Sequence, residues 1–311
     1  MKHTFYPKNR DGFTLVELLV AMMITIVLLG VLVYLTAISM DTYRDSRNEV
    51  RASRQAKEAL ETIAKDLESM VSRRDGNAYE WFWAESESSS LKGPAAGKQI
   101  ANASRIIFFT GATDRYDGQI GTPQDKGGDV SAVSYRLVYK DQISGGVPTS
   151  EGPFPVFSLY RHLADPDEAF DILAINKLKD GSSSIFSEAN DLAAENFLVE
   201  NIYEFTITYL VEVKVDDVAH LVRATMKPDG LTKFAIRGSG LGFLGNIEFP
   251  ESSGLDGDDF RNGRVMAVQV SISVISDRGM ALIKKLPAAR WDEVKSKHLY
   301  HYTKTITTPS P

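Results

Sequence analysis

From Leu18 to Ile38 the chain has 21 consecutive residues without a single charge. About 20 apolar residues in a helix span the roughly 30 Å hydrocarbon core of a bilayer. Whatever else the chain folds into must tolerate this segment, and a membrane-spanning helix is the reading it predicts. The first twelve residues of the chain, MKHTFYPKNRDG, carry Lys2, Lys8 and Arg10 against one acid, Asp11. A basic flank ahead of an apolar span stays on the cytoplasmic side, and the bulk of the chain is then carried across.

Three readings compete for this N-terminus. A secretory signal peptide has a shorter apolar core, about 7–15 residues, and a small-residue cleavage site behind it. Here the apolar run is longer and continues into MDTYRDSRNEVRAS, a charged stretch compatible with helix. A plain signal-anchor accounts for the hydropathy but leaves Glu17 unexplained. A carboxylate inside a membrane helix costs about 2.5–3.5 kcal/mol at the centre and less near the end, so it calls for a partner. If the chain were cut after Gly12, Phe13 would gain an amino group with a pKa of about 8 and hence a positive charge. Glu17 would then lie one helical turn from that charge, or meet it on a neighbouring subunit.

The stretch G-FTLVELLVAMMI resembles the class III signal of type IV pilins and type II secretion pseudopilins. The elements are a short basic leader ending in Gly12, then Phe13, a Thr-Leu-Val step, and Glu17 at the fifth position after the glycine. The resemblance implies that a prepilin peptidase cleaves between Gly12 and Phe13 and methylates the new amine. It implies that Glu17 aligns the subunit in an assembling filament. The implied partners are that peptidase, other pilin or pseudopilin subunits met through the N-terminal helix, and an inner-membrane assembly platform.

Between Phe13 and Arg74 there is no proline and one glycine, Gly30, which predicts one long helix, mildly weakened at Gly30. Its second half shows an apolar stripe of Ala56, Leu60, Ile63, Leu67 and Met70 or Val71 at spacings of three and four. The stripe predicts packing against a globular head, and its two heptads are too few for a coiled-coil stalk. Beyond Asp75-Gly76-Asn77, a turn signal, strands dominate. They are expected at Ser104–Thr110, Ser131–Lys140, Phe154–Arg161, Phe197–Val215, Ala219–Thr225, Leu231–Arg237, Arg264–Ser276 and His298–Thr307. In the stretch from Arg264, Met266, Val268, Val270, Ile272 and Val274 form the face expected to point into the core. Short helices are expected at Pro166–Lys179 and Asp277–Leu286. Tyr79, Trp81, Phe82 and Trp83 read as core packing beneath a loop from Glu85 to Gly97. The fold class expected is α+β, a long N-terminal transmembrane helix packed on a mostly antiparallel β-sheet head. Its parts are a leader at 1–12, a transmembrane and filament-core helix at 13–40, an amphipathic continuation at 41–75, and a β-rich periplasmic or extracellular head at 76–311.

The order YRLVYK, FSLYRH, LVENIYEFTITYLVE, RVMAVQVSISVISDRG and YTKTITT is similar in pattern to minor pilin-like proteins of the PilW-like and J-type pseudopilin group. Major subunits are usually about half this length, and many close a loop with a disulfide. This chain has no cysteine, which also removes thiolate metal sites and thiol nucleophiles. A net charge of −6 and a pI near 5.5 argue against nucleic acid as a partner.

Several chemistries were sought in the sequence. Gly240-Leu241-Gly242-Phe243-Leu244-Gly245 fits GxGxxG, but no helix pattern follows it, so it reads as a turn between strands rather than a cofactor loop. Asp256, Asp258 and Asp259 in one loop, and Asp114, Asp117, Asp125 and Asp129 in another, offer oxygens for calcium without matching an EF-hand. Their default reading is solvated turns, and no cofactor is expected. His298 and His301, read as one strand, point to opposite faces and make a poor metal pair. No catalytic motif stands out, so the chain reads as a structural subunit. The alternative is a monomeric membrane-anchored binding protein, for which Glu17 would have no use.

Overall fold

The computed structural model describes residues 14–72, 79–87, 93–94, 102–112, 123, 128–141, 154–173, 178, 184–216, 218–238, 240–250 and 254–308. The chain forms two compact units, residues 1–50 and 51–311. Helix α1 (Leu15–Glu68) contributes to both. In the first unit its side chains from Leu15 to Met40 are exposed, including Leu19, Ile26 and Val33. The helix is long and apolar enough to cross a membrane.

The second unit is built on two sheets. Their strands are β1 (Glu80–Ser86), β2 (Ser104–Thr110), β3 (Ser131–Asp141), β4 (Pro155–Ala164), β5 (Phe197–Glu200), β6 (Ile202–Val215), β7 (Val218–Thr225), β8 (Leu231–Arg237), β9 (Gly240–Gly245), β10 (Arg264–Ile275) and β11 (Leu299–Thr307). The larger sheet runs β5-β4-β3-β2-β1-β8-β9 and the smaller β11-β10-β6-β7; the named pairs are antiparallel. Helices α2 (Pro166–Leu173), α3 (Glu188–Asp191), α4 (Gly257–Arg261), α5 (Asp277–Lys285) and α6 (Trp291–His298) fill the connections. The α+β class, with a long N-terminal helix and mostly antiparallel sheet, is the one the sequence predicts.

By register, Phe82, Phe108, Tyr135, Phe157 and Arg161 share one face of the larger sheet. That face is covered from two sides. The smaller sheet covers it with Tyr209, stacked on Phe234 at 3.9 Å and edge-on to Phe82, and with Tyr203 edge-on to Phe157. The last turns of α1 cover it with Ala52, Ala56, Ala59, Ile63 and Leu67, all essentially without solvent access. The alanines let the helix backbone come close to the sheet, and the larger side chains fill the space between.

Asp66 belongs to the same buried face of α1, although the stripe read from the sequence skips it. Its carboxylate accepts from Arg161 Nε at 2.7 Å, Arg161 Nη2 at 2.9 Å and the Tyr135 hydroxyl at 2.6 Å. Asp66 and Arg161 are 0% and 2% exposed, so the pair is fully desolvated. Burial and the adjacent Asp66 charge push the Tyr135 hydroxyl well above its usual pKa, against the opposing pull of Arg161.

At its other end the buried part of α1 is fixed by Arg51, which ion-pairs with both Glu200 and Asp277. Asp277 also accepts from Asn201 Nδ2 at 2.9 Å. Asn201 sits at φ 65°, a left-handed conformation that asparagine tolerates. It breaks the expected Phe197–Val215 strand into β5 and β6 and moves the chain from one sheet to the other. Its own N–H reaches Phe157 O, and its carbonyl accepts from Ile275 N, so the corner is held by both sheets.

Other differences from the sequence reading have local causes. Helix α1 ends at Glu68, short of the expected Arg74. There Val71 N bonds Phe109 O, Gly111 N bonds Ser69 O, and Met70 pairs with Thr110, so the sheet takes over the backbone. Residues 73–78, including the expected Asp75-Gly76-Asn77 turn, lie outside the described residues. The aromatic cluster is core, with Phe82 and Trp83 buried, but it forms strand β1 in the body of the larger sheet rather than packing under a loop. Met266 is 41% exposed instead of buried, because a register irregularity between Val265 and Ala267 flips the alternation. Val268, Val270, Ile272 and Val274 are buried as expected. Helix α2 is described over Pro166–Leu173 of the expected Pro166–Lys179, residues 174–177 and 179 lying outside the described residues; α5 covers Asp277–Lys285 of the expected Asp277–Leu286, and α3, α4 and α6 lie outside the sequence expectations.

Replacing Asp66 with Ala strands a buried guanidinium and is expected to destabilise the second unit by about 3–5 kcal/mol, read by denaturant unfolding of the detergent-solubilised chain. Tyr135 supplies a pH test. Its folded pKa lies above its unfolded value near 10, so the unfolded chain loses the proton first and stability falls as pH rises past about 10. Tyr135→Phe is expected to flatten that fall by about 1.4 kcal/mol per pH unit, measured as unfolding free energy between pH 8 and 11.

Candidate functional site at the N-terminus

Of the three residues singled out by the sequence, Gly12 and Phe13 lie outside the described residues, and Glu17 lies in the first turn of α1. Glu17 is exposed, and its Oε2 accepts from Thr14 N at 2.9 Å and from the Thr14 hydroxyl at 3.0 Å. The Glu17 N–H in turn donates to Thr14 Oγ1 at 3.2 Å. This reciprocal pattern, Thr at the cap and Glu three residues on, is a capping box, which satisfies two helix-terminal donors that otherwise lack partners. The negative carboxylate also sits where the helix dipole favours an anion.

The box gives Glu17 a role within its own chain, one that reading it only as a counter-charge for Phe13 overlooked. The signal was present in the sequence as Thr14-Leu15-Val16-Glu17, the T-x-x-E form of the motif. Thr14 therefore joins the candidate residues. Its bonds hold the Glu17 carboxylate against the backbone N–H of residue 14.

The other sequence candidates take structural roles. The GxGxxG stretch is strand β9, not a turn, and no phosphate-binding helix follows. Gly240 (φ +146°) and Gly245 (φ +113°) adopt backbone that L side chains avoid. A Cβ on Gly240 would lie 2.5 Å from Arg261 O, and one on Gly245 would lie 2.2 Å from Gly230 O. The glycines thus serve close backbone approach at a hairpin. Asp256 caps α4, accepting from Asp258 N at 2.8 Å and Asp259 N at 3.0 Å, while Asp259 Oδ2 accepts from Asp256 N at 3.1 Å. Two of those three carboxylates are therefore committed to a helix terminus. Asp114, Asp117 and Asp125 lie outside the described residues. His298 ends α6 and lies 3.3 Å from Ser276 Oγ, whereas His301 is on β11 and lies 2.8 Å from Ser273 Oγ. They do not share a strand as the sequence reading had it. Among the described residues, no cluster of three or more His, Cys, Asp or Glu has the arrangement to hold a metal ion.

The model of the prokaryotic N-terminal methylation motif matches residues 7–33, the segment that contains Gly12, Phe13, Thr14 and Glu17. No curated protein and no solved structure matches the chain. The motif runs into a long apolar helix, and the two together are consistent with a type IV pilin-like protein. One apolar N-terminal helix behind such a motif fits a single-pass anchor in the inner membrane.

Thr14→Ala removes both hydroxyl bonds of the capping box. It is expected to weaken the first turn of α1 by about 1 kcal/mol. Amide hydrogen exchange over Leu15–Leu18 in detergent micelles should accelerate about fivefold, with no change beyond Ala21.

Proposed function

We propose that the chain is a minor pilin or pseudopilin, a low-copy structural subunit of a type IV pilus or a type II secretion pseudopilus, placed near the filament tip. The observation that carries this reading is the methylation motif at residues 7–33 running directly into a capped helix whose apolar half is exposed. Residues 1–12 are the leader, removed between Gly12 and Phe13 by prepilin peptidase, which methylates the new amine. Residues 13–40 anchor the precursor in the inner membrane and later lie in the filament core. Residues 41–75 continue the helix, and residues 76–311 form a head in the periplasm or, after assembly, on the cell surface.

In this reading Glu17 changes partner during maturation. The precursor has no free amine at Phe13, and the carboxylate is held by Thr14. Cleavage creates a cation within the same turn, or on the neighbouring subunit, and the carboxylate neutralises it in a low-dielectric surrounding. The inner-membrane platform then lifts the helix from lipid into contact with other subunits. The length of the chain, the absence of cysteine and the order of the segments YRLVYK, FSLYRH, LVENIYEFTITYLVE, RVMAVQVSISVISDRG and YTKTITT support a minor rather than a shaft subunit.

Intact mass and N-terminal peptide analysis of the membrane-extracted chain, with and without a co-expressed prepilin peptidase, tests this directly. A chain beginning at N-methylated Phe13 is the expected result. An intact Met1 or Lys2 terminus beside an active peptidase sinks it and leaves a membrane-anchored binding protein. Glu17→Gln is expected to be cleaved normally yet to fall at least tenfold in the sheared-filament fraction.

A further inference from the structure

Helix α1 and the smaller sheet cover one face of the larger sheet. On the opposite face the registers of β1, β8 and β9 bring Trp83, Ala235 and Gly242 into one row. Side chains alternate along a strand, so Lys233 and Arg237 of β8 stand on that same face, two residues to either side of Ala235. Ala235 and Gly242 contribute only a methyl group and a hydrogen, and the face sinks there into a cavity of about 330 Å³. Trp83 bounds the cavity toward β1, and three cations line it, Lys233, Arg237 and, from α4, Arg261.

One carboxylate, Glu80, joins these cations, and the fold already uses both of its oxygens. Oε1 accepts from Arg237 Nη2 at 2.8 Å and Nε at 3.3 Å, and Oε2 accepts from Leu178 N at 3.2 Å. Glu80 thus aims Arg237 while taking two of the five N–H donors of its guanidinium. Lys233 is exposed, and its Nζ lies 4.0 Å from Glu85, beyond hydrogen-bonding distance. Arg261 is held 5.1 Å from the centre of the Phe243 ring and pairs with Asp258, itself largely in solvent. In a chain of net charge −6 the cavity is a local positive site, and its charge favours an anion.

The cavity adjoins β9, the last strand of the larger sheet, and among the described residues no strand pairs along its outer edge. Such an edge offers N–H and C=O groups to another chain. Gly242 shows where that chain approaches. Gly240 and Gly245 are demanded by their backbone angles, but Gly242 is not: a Cβ there would meet nothing closer than 3.6 Å. A glycine inside a strand weakens it and often marks close approach by a ligand or another backbone. The atoms at 3.6 Å are Arg237 Cζ and Nη2, so the guanidinium already lies beside β9 rather than back over β8.

We infer that β9 accepts an extended acidic segment of another protein as an added strand, with alternate side chains reaching over β9 into the cavity. In strand addition the main-chain bonds supply affinity, and pockets for alternate side chains supply selectivity. An added strand lies two inter-strand spacings from β8, about 10 Å, which a glutamate and a lysine or arginine cover together from opposite ends. The backbones of Lys233 and Arg237 are about 13 Å apart along β8. A single phosphate or carboxylate cannot meet both cations, whereas a strand has the same rise per residue as β8 and carries its acids in step with them.

The test uses the full chain in detergent micelles and a blocked, fluorescein-labelled heptapeptide with glutamate at its second, fourth and sixth positions and threonine elsewhere. Binding is read by fluorescence anisotropy. Saturable binding is expected at about 20 mM salt, weakening at least about tenfold at about 500 mM as the screening length shrinks. The glutamine version of the peptide should bind at least about tenfold more weakly. Methylating the backbone nitrogens at either the odd or the even positions strips the donors from one edge of the peptide, and one of these two versions should lose binding. Gly242→Val fills the cavity without touching a charge, and Lys233→Glu reverses an exposed cation; each should weaken binding at least about tenfold. If Gly242→Val fails to fold, Lys233→Glu decides. A glutamate peptide that does not bind, folded variants that bind it unchanged, or two methylated versions that both bind like the parent overturn the inference. So does digalacturonate or inorganic phosphate displacing the peptide at equal or lower concentration, which marks a small-anion site instead. The measurement involves neither peptidase nor filament, so its failure leaves the pilin-like reading standing.

Discussion

The second unit depends on one buried ionic contact. Asp66 is the only acid on the face that α1 presents to the larger sheet, and it meets Arg161 from β4 and Tyr135 from β3 with three hydrogen bonds. Apolar packing holds the helix on the sheet through contacts that have no preferred direction. A carboxylate that must reach a forked guanidinium and a hydroxyl has one position that works. Removing two charges from water costs several kcal/mol, so the triad adds less to net stability than its bond lengths imply. Its contribution is to fix the register at which the rest of α1 enters the unit. Arg51, about four turns earlier, repeats the device with exposed and therefore weaker pairs to Glu200 and Asp277.

That register matters because the two sheets meet the helix through shared corners. Asn201 bonds both sheets and Asp277, and Asp277 bonds Arg51. Asn201, Asp277, Arg51 and Glu200 thus form one connected set of polar contacts. The aromatic layer of Phe82, Phe108, Tyr209 and Phe234 then fills the space between the sheets without having to set their orientation.

Much of this was legible in the sequence, for physical reasons that differ by element. The apolar run and the three-and-four spacing before Arg74 declare a helix because their period is unambiguous. Ser104–Thr110 and Leu231–Arg237 were read with the bounds they have, since turn residues bracket clear β-formers. What could not be read depends on partners distant in sequence. Asp66 looks like any surface acid until Arg161 is placed opposite. Strand β1 hides in an aromatic cluster that fits a helix end or a loop equally well. Met266 obeys the alternation in sequence and escapes it only through a bulge set by pairing with β6. At the candidate site the reverse holds. Glu17 stands out by charge and spacing, and its Thr14 partner is a local signal, the four-residue motif Thr14-Leu15-Val16-Glu17, that a reading of Glu17 as a counter-charge alone does not use.

The placement of β1 carries a consequence for how the chain is made. Its two neighbours in the sheet are β2, close in sequence, and β8, whose Ala235 stands opposite Trp83 from about 150 residues further along. Chains are synthesised from the N-terminus, so β1 emerges long before β8 exists to pair with it. Through that interval Trp83 and Phe82 line an open edge, the kind of surface on which unfinished chains stick to one another. Pairings this distant also close slowly, because so much chain must be ordered at once. The larger sheet therefore cannot close until most of the chain has been made, and its completion waits on strands that lie far beyond β1 in sequence.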